Sequence, residues 1–210
     1  MKIGILGAGN VGSALGRSFA RSGHEVMYGV RDASKPDVLS LVAETGAGAK
    51  AGTIAEAAQF GEVVVLSVHW GAVRDVLAAA GDLAGKVLLD CTNPLKPRLE
   101  GLELGLTTSG GETVAEWAPG AKVVKIFNTI GAEIMLDTTF PEGRPAIIYC
   151  GDDADAKRTA AGLADAIGFE PIDLGPLEQS RYLEPYAMVW IRLAFAQGLG
   201  RNFAFRLMRR

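Results

Sequence analysis

The run Lys2-Ile3-Gly4-Ile5-Leu6-Gly7-Ala8-Gly9-Asn10-Val11-Gly12 constrains this chain more than any other. A short apolar strand passes straight into the spacing G-x-G-x-x-G, and helical periodicity from Val11 to Ser22 follows at once. In that context each glycine has a separate task. Gly7 permits the tight turn, Gly9 removes the side chain that would hold a diphosphate off the backbone, and Gly12 lets helix and strand pack closely. Free amides of Asn10 and Val11 and the positive end of the helix then face the phosphates. A glycine-rich turn with no ligand is the competing reading, but a match in the right strand-to-helix context is far stronger than a lone one.

Seven further strands are expected: EVMYGV, AKAGTI, EVVVLSV, KVLLDCT, KVVKIFN, AIIYCG and EPIDLG. Runs apolar at nearly every position, such as Val63 to Val68, suit strands buried on both faces of a parallel sheet. Crossover helices are predicted over 11–22, 35–44, 54–59, 71–80 and 154–167, the last capped by Asp152 or Asp153. The pattern predicts an α/β fold: a doubly wound, mostly parallel Rossmann sheet of about eight strands with a small helical C-terminal portion. A soft boundary divides a dinucleotide-binding domain, 1–130, from a portion, 131–210, that continues the sheet and ends in helices. The longest irregular stretch, Asn93 to Gly111, has the length of a functional lid and closes on a capping box, Ser109 with Glu112.

The end of the second strand reads Gly29-Val30-Arg31-Asp32. Arg31, with Lys35 four residues on, offers cations to a 2′-phosphate and favours NADPH over NADH. Asp32 would either hold ribose hydroxyls or pair with Arg31. Ser67, Val68 and His69 close the fourth strand, and Asn93 and Pro94 follow the fifth. Both are carboxyl ends, where such sheets collect ligands. His69 is read as a proton donor or a hydrogen-bonded wall residue, and Asn93-Pro94 serves equally as plain turn chemistry. Beyond the sixth strand, Asn128, Thr129 and Ile130 would position the nicotinamide ring. No nucleophilic triad, zinc cluster or paired carboxylates stand at interpretable spacing, and no metal is expected. Hydride transfer needs none of these, because the coenzyme carries the chemistry.

The 210 residues suffice for one α/β domain with a small appendage. A formal charge of −3 gives no basic field for nucleic acid, and Arg201, Arg206, Arg209 and Arg210 read as a solvated helix end or, less favoured, an anion site. The apolar segment Tyr182 to Ala196 is broken by Glu184, Pro185 and Arg192, so no membrane span is expected. Its aromatics Tyr182, Tyr186 and Trp190 form a helical stripe suited to core or a dimer interface. Two cysteines without ligand spacing, and a start directly on a strand, point to the cytoplasm.

With these residues in view, the chain resembles the NADPH-dependent deazaflavin reductases and the cytosolic reductase domain of the membrane metalloreductases. The resemblance rests on GAGNVG, Gly29 to Arg31, SVHW at Ser67 to Trp70, CTNPL at Cys91 to Leu95, FNTIGA at Phe127 to Ala132, CGDD at Cys150 to Asp153 and DLGPLEQSRYLEP from Asp173. It implies hydride exchange between NADP(H) and a deazaflavin or flavin-type acceptor, with Gly9 to Val11 at the pyrophosphate, Arg31 and Lys35 at the 2′-phosphate and Asn128 to Gly131 near the ring. It also implies a homodimer. Two positions depart from the family: Val30 replaces a serine before the arginine, and Asn128 replaces a histidine near the nicotinamide. A flat apolar slot for the acceptor is expected from Ile130, Leu95 and the tail aromatics. The competing functions are a dehydrogenase of a small hydroxy or imino acid, for which the tail looks short, and a non-catalytic NADPH-sensing module.

Overall fold

The computed structural model describes residues 1–210. Eight strands form one sheet: β1 (Lys2–Leu6), β2 (Glu25–Gly29), β3 (Lys50–Gly52), β4 (Val63–Leu66), β5 (Val87–Asp90), β6 (Lys122–Lys125), β7 (Ala146–Gly151) and β8 (Glu170–Asp173). Their order is β3-β2-β1-β4-β5-β6-β7-β8. The first six run parallel, and β7 pairs antiparallel with β6 through Val124 opposite Gly151 and Lys125 opposite Cys150. The carboxyl ends of β1, β2, β4, β5 and β6 therefore share one edge. Strand order reverses between β1 and β4, the crevice where such sheets bind ligands.

Eight helices surround the sheet: α1 (Asn10–Arg21), α2 (Pro36–Thr45), α3 (Ile54–Phe60), α4 (Val73–Ala80), α5 (Gly110–Trp117), α6 (Ala132–Leu136), α7 (Ala154–Ala166) and α8 (Ser180–Ile191). The larger core lies on one face, where Leu15, Phe19 and Leu163 from α1 and α7 pack on Ile3, Ile5 and Val65. The smaller core lies on the other, where Ala57, Leu77 and Val114 from α3, α4 and α5 pack on Leu6, Val64 and Leu66. Alternate residues of the same strands serve opposite faces, as strand geometry requires.

Local chemistry sets the helix starts. Asp153 caps α7, its carboxylate accepting from the Ala156 amide, while Asp152 accepts from the Leu177 amide instead. A complete capping box that the sequence reading passed over, Thr53 with Glu56, opens α3. At α5 the Ser109 hydroxyl accepts from Glu112 N, but the Glu112 carboxylate takes that hydroxyl rather than the Ser109 amide.

The tail requires a correction. Helix ends at a π-helical turn, Arg192–Ala196, and Gly198 and Gly200 then adopt positive φ. Beyond Ala196 the chain is not helical, so the terminal arginines are not a helix end. Arg201 meets Glu133, Arg206 donates to the Glu142 carbonyl, and Arg209 meets Glu170. Short α6 was also not expected; five residues carry too little periodicity to announce themselves.

Candidate functional site

Gly7 and Gly12 bear out the turn and packing roles read for them. Gly7 has φ +105, and a Cβ there would lie 2.7 Å from Val68 Cγ1. A Cβ on Gly12 would fall 2.0 Å from the Gly7 carbonyl oxygen and 2.6 Å from Ser67 Oγ, so only glycine lets α1 pass this close. Gly9 differs from both: no atom lies within 4 Å of where its Cβ would be. Nothing in the fold demands glycine there, and the space is what an approaching ligand would use. Gly9 is also the N-cap of α1, with no side-chain cap and no acidic residue in the first turn, so the helix presents bare amides at Asn10 and Val11. Ser67 Oγ donates to the carbonyls of Leu6 and Gly7 at 3.2 and 3.1 Å, which makes it a strut under the corner.

At the end of β2, Asp32 does not pair with Arg31. Its Oδ1 accepts from the Ser34 hydroxyl at 2.6 Å and the Ser34 amide at 2.9 Å, and these bonds hold its carboxyl below the usual range. Arg31 is exposed and makes no ion pair within the chain, and exposed Lys35 stands at the N-cap of α2. His69 is exposed too and caps the short 3-10 turn Trp70–Ala72, whereas Val68 is half-buried beside Gly7. The residues named from sequence thus lie along one edge, with Arg31 and Lys35 on the flank beyond β2.

The structure joins Asn93 to Asn128 directly. Asn128 Nδ2 donates to Asn93 Oδ1 at 3.0 Å, and Asn93 Nδ2 donates to the Asn128 carbonyl at 2.8 Å. Phe127 precedes this pair with φ +63, a left-handed conformation that a bulky residue adopts only when its surroundings enforce it. Here the ring is wedged edge-on between Phe19 and Phe169, with centroids at 6.3 and 6.0 Å. The kink turns Asn128, Thr129 and Ile130 out of the strand line, and all three are buried. Pro94 is buried against the start of α5.

Two of the tail aromatics pack against the C-terminal segment. Trp190 stacks on Phe203 at 5.4 Å and donates its indole N–H to the Phe203 carbonyl, and Tyr186 leans on Phe205 at 5.2 Å. Trp190 forms a small third core with Ile191 and Ala194, against which Leu95, Leu99, Phe203 and Phe205 pack, whereas Tyr182 is exposed and Ile130 belongs to the large core.

Sequence reasoning missed three charges. Asp90, Lys125 and Glu184 are fully buried, with Lys125 Nζ 2.9 Å from Asp90 Oδ2 and 2.8 Å from Glu184 Oε1. Burial alone would lower the Lys125 pKa, but the two carboxylates outweigh it and hold the ammonium raised. Glu184 also accepts from the amides of Gly110 and Gly111, both at 2.9 Å, closing the N-terminus of α5. The available signal was a lysine ending an apolar strand and a glutamate inside an apolar helix.

Residues 2–94 match the family model described as NADP oxidoreductase coenzyme F420-dependent. The F420-dependent NADP reductase of Methanothermobacter marburgensis is 34% identical over 99% of this chain and 98% of its own length. Metalloreductase STEAP3 of Rattus norvegicus is 33% identical over 87% of this chain, which spans only 36% of that protein. A crystal structure from Arthrobacter sp. FB24, provisionally assigned as an F420-dependent NADP-reductase, superposes with a TM-score of 0.89 at 35% identity over the whole of both chains. With a relative of that identity matched end to end, the chain belongs to the F420-dependent NADP oxidoreductase family.

Proposed function

We propose that this protein transfers hydride between NADP(H) and a deazaflavin coenzyme of the F420 type, or a related flavin. The observation that carries the reading is Gly9: a glycine that no packing requires, heading an uncapped helix at the sheet's topological switch point. The coenzymes supply the chemistry, two electrons passing as a hydride from dihydropyridine to deazaflavin, which also takes a proton from water. The chain's own residues bind and orient. Gly7, Gly9, Asn10, Val11 and Gly12 hold the diphosphate, Arg31 and Lys35 the 2′-phosphate, and Val68, His69, Asn93 and Pro94 wall the cleft over the Ser67 strut. Asn128, Thr129 and Ile130 set the nicotinamide. Residues 1–130 are the dinucleotide-binding part, and 131–210 brace it through α8.

Tyr182 and Val189 on α8 and Phe195 and Leu199 beyond it are exposed large apolar residues. That set supports a second copy as partner. No helix is long and apolar enough to cross a membrane, which fits work in the cytoplasm. The test is loss of reduced-nicotinamide absorbance with purified protein and oxidised F420, flavins or ferric chelates supplied in turn. Turnover with F420 supports the reading. Dinucleotide binding without turnover on any acceptor would replace it with a sensing role.

A further inference from the structure

Asp90, Lys125 and Glu184 hold more negative than positive charge. Glu184 Oε1 is met by Lys125 and the Gly111 amide, and Oε2 by the Gly110 amide. Asp90 Oδ1 is met by the Thr92 amide and hydroxyl, and Oδ2 by Lys125. Every partner is a donor, the pattern of two carboxylates around one ammonium, so one negative charge is in excess and sealed from water. Apolar side chains of similar volume would fill this space without the desolvation cost, so stability alone does not account for the trio.

A second negative end lies beside it. Asn128 is 6% exposed, and its Nδ2 is committed to Asn93 Oδ1 and to the Leu183 carbonyl at 3.4 Å. Rotating the amide would set its oxygen against those two acceptors, so Oδ1 keeps its direction, and it has no hydrogen-bond partner. The two features are contiguous. Asp90 stands opposite Lys125 at the ends of β5 and β6, Asn93 and Asn128 lie three residues beyond those ends, and Leu183 adjoins Glu184.

We propose that this buried excess of negative charge biases the dinucleotide site towards the oxidised coenzyme. The pyridinium ring of NADP+ carries a positive charge that the dihydropyridine of NADPH lacks, so only the oxidised form gains from the field. The inference rests on the placement of the nicotinamide at Asn128 to Ile130 proposed above. Glu184 and Asp90 touch no reacting atom and act through the field and through Asn128, as positioning residues.

The measurement is calorimetric titration of the full chain with NADP+ and with NADPH, without acceptor. Glu184→Gln should weaken NADP+ on the order of tenfold relative to NADPH, the effect of one charge about 10 Å away at an effective dielectric near 20. Asp90→Asn removes a charge from the opposite side and should move the ratio the same way. Lys125→Gln raises the excess and should move it in reverse. The shifts should persist in 0.5 M salt, because ions do not enter the site, whereas a surface effect would fade at roughly that concentration. Equal weakening of both forms, or an unchanged ratio in the variants that fold, overturns the inference and leaves the trio purely structural. Failure of the unaltered protein to bind either dinucleotide overturns instead the reading on which it rests.

Discussion

The glycine corner after β1 and the charged trio behind β5 and β6 solve opposite problems. The corner is built from the absence of side chains: its polar groups are backbone amides left unsatisfied and exposed, at little cost while water reaches them. The trio is built from charged side chains, every polar atom of which is matched and none of which meets water. One region stays open to solvent, and the other binds β5, β6, α5 and α8 into a single block. Damage to the corner should therefore show in binding, and damage to the trio first in stability.

The largest effect should come from Lys125→Met. It leaves two buried carboxylates facing each other, and breaking a buried pair in this way costs about 3–5 kcal/mol. Urea unfolding followed by circular dichroism measures the loss. A loss below 1 kcal/mol would mean that water reaches the site.

Gly12→Ala and Gly9→Ala sharpen the contrast inside the corner itself. The first drives a methyl into the Gly7 carbonyl and should cost about 1–3 kcal/mol of stability, as overpacking does. The second enters open space at a backbone angle of φ −75, so its stability should stay within about 0.5 kcal/mol of the parent while NADPH affinity collapses. Equal destabilisation by both would remove the distinction between a packing glycine and a binding glycine. Arg31→Ala should then cost about 1.5–3 kcal/mol in NADPH affinity, the scale of a hydrogen bond to a charged group, and leave NADH binding nearly unchanged. An equal loss for both dinucleotides would give Arg31 a structural role.

The same contrast explains what was legible in the sequence. The corner, the eight strands and most crossover helices are local statements, spelled by neighbours in the chain, and each could be read from spacing alone. Lys125 and Glu184 are separated by 59 positions and meet only once α8 folds back, so each looked like an isolated polar interruption of an apolar run. Asp32 was read against Arg31 or ribose, whereas its partner within the chain is Ser34, two residues on, a local turn bond that charge spacing does not announce. The aromatic stripe of the tail does lie on helix α8, but Gly198 and Gly200 follow the last helical turn at positive φ, so the arginines beyond them are not a helix end.

The smallest effect concerns Arg181, which ties α8 to α5 at the surface, outside the buried block. Its guanidinium donates to both Glu112 oxygens at 2.9 and 2.6 Å, and this bond, ahead of the Ser109 contacts, holds the Glu112 carboxyl below its ordinary value. A carboxyl with a depressed folded-state pKa contributes stability that is complete above the unfolded value near 4.5 and is lost as pH falls through the folded one. Arg181→Ala should therefore cost about 0.2–1 kcal/mol at pH 7, the range of partly exposed pairs, and should flatten the decline of Tm below pH 4.5. If the parent and the variant decline in parallel, Glu112 is not titrating through Arg181, and α8 is held by its buried carboxylate alone.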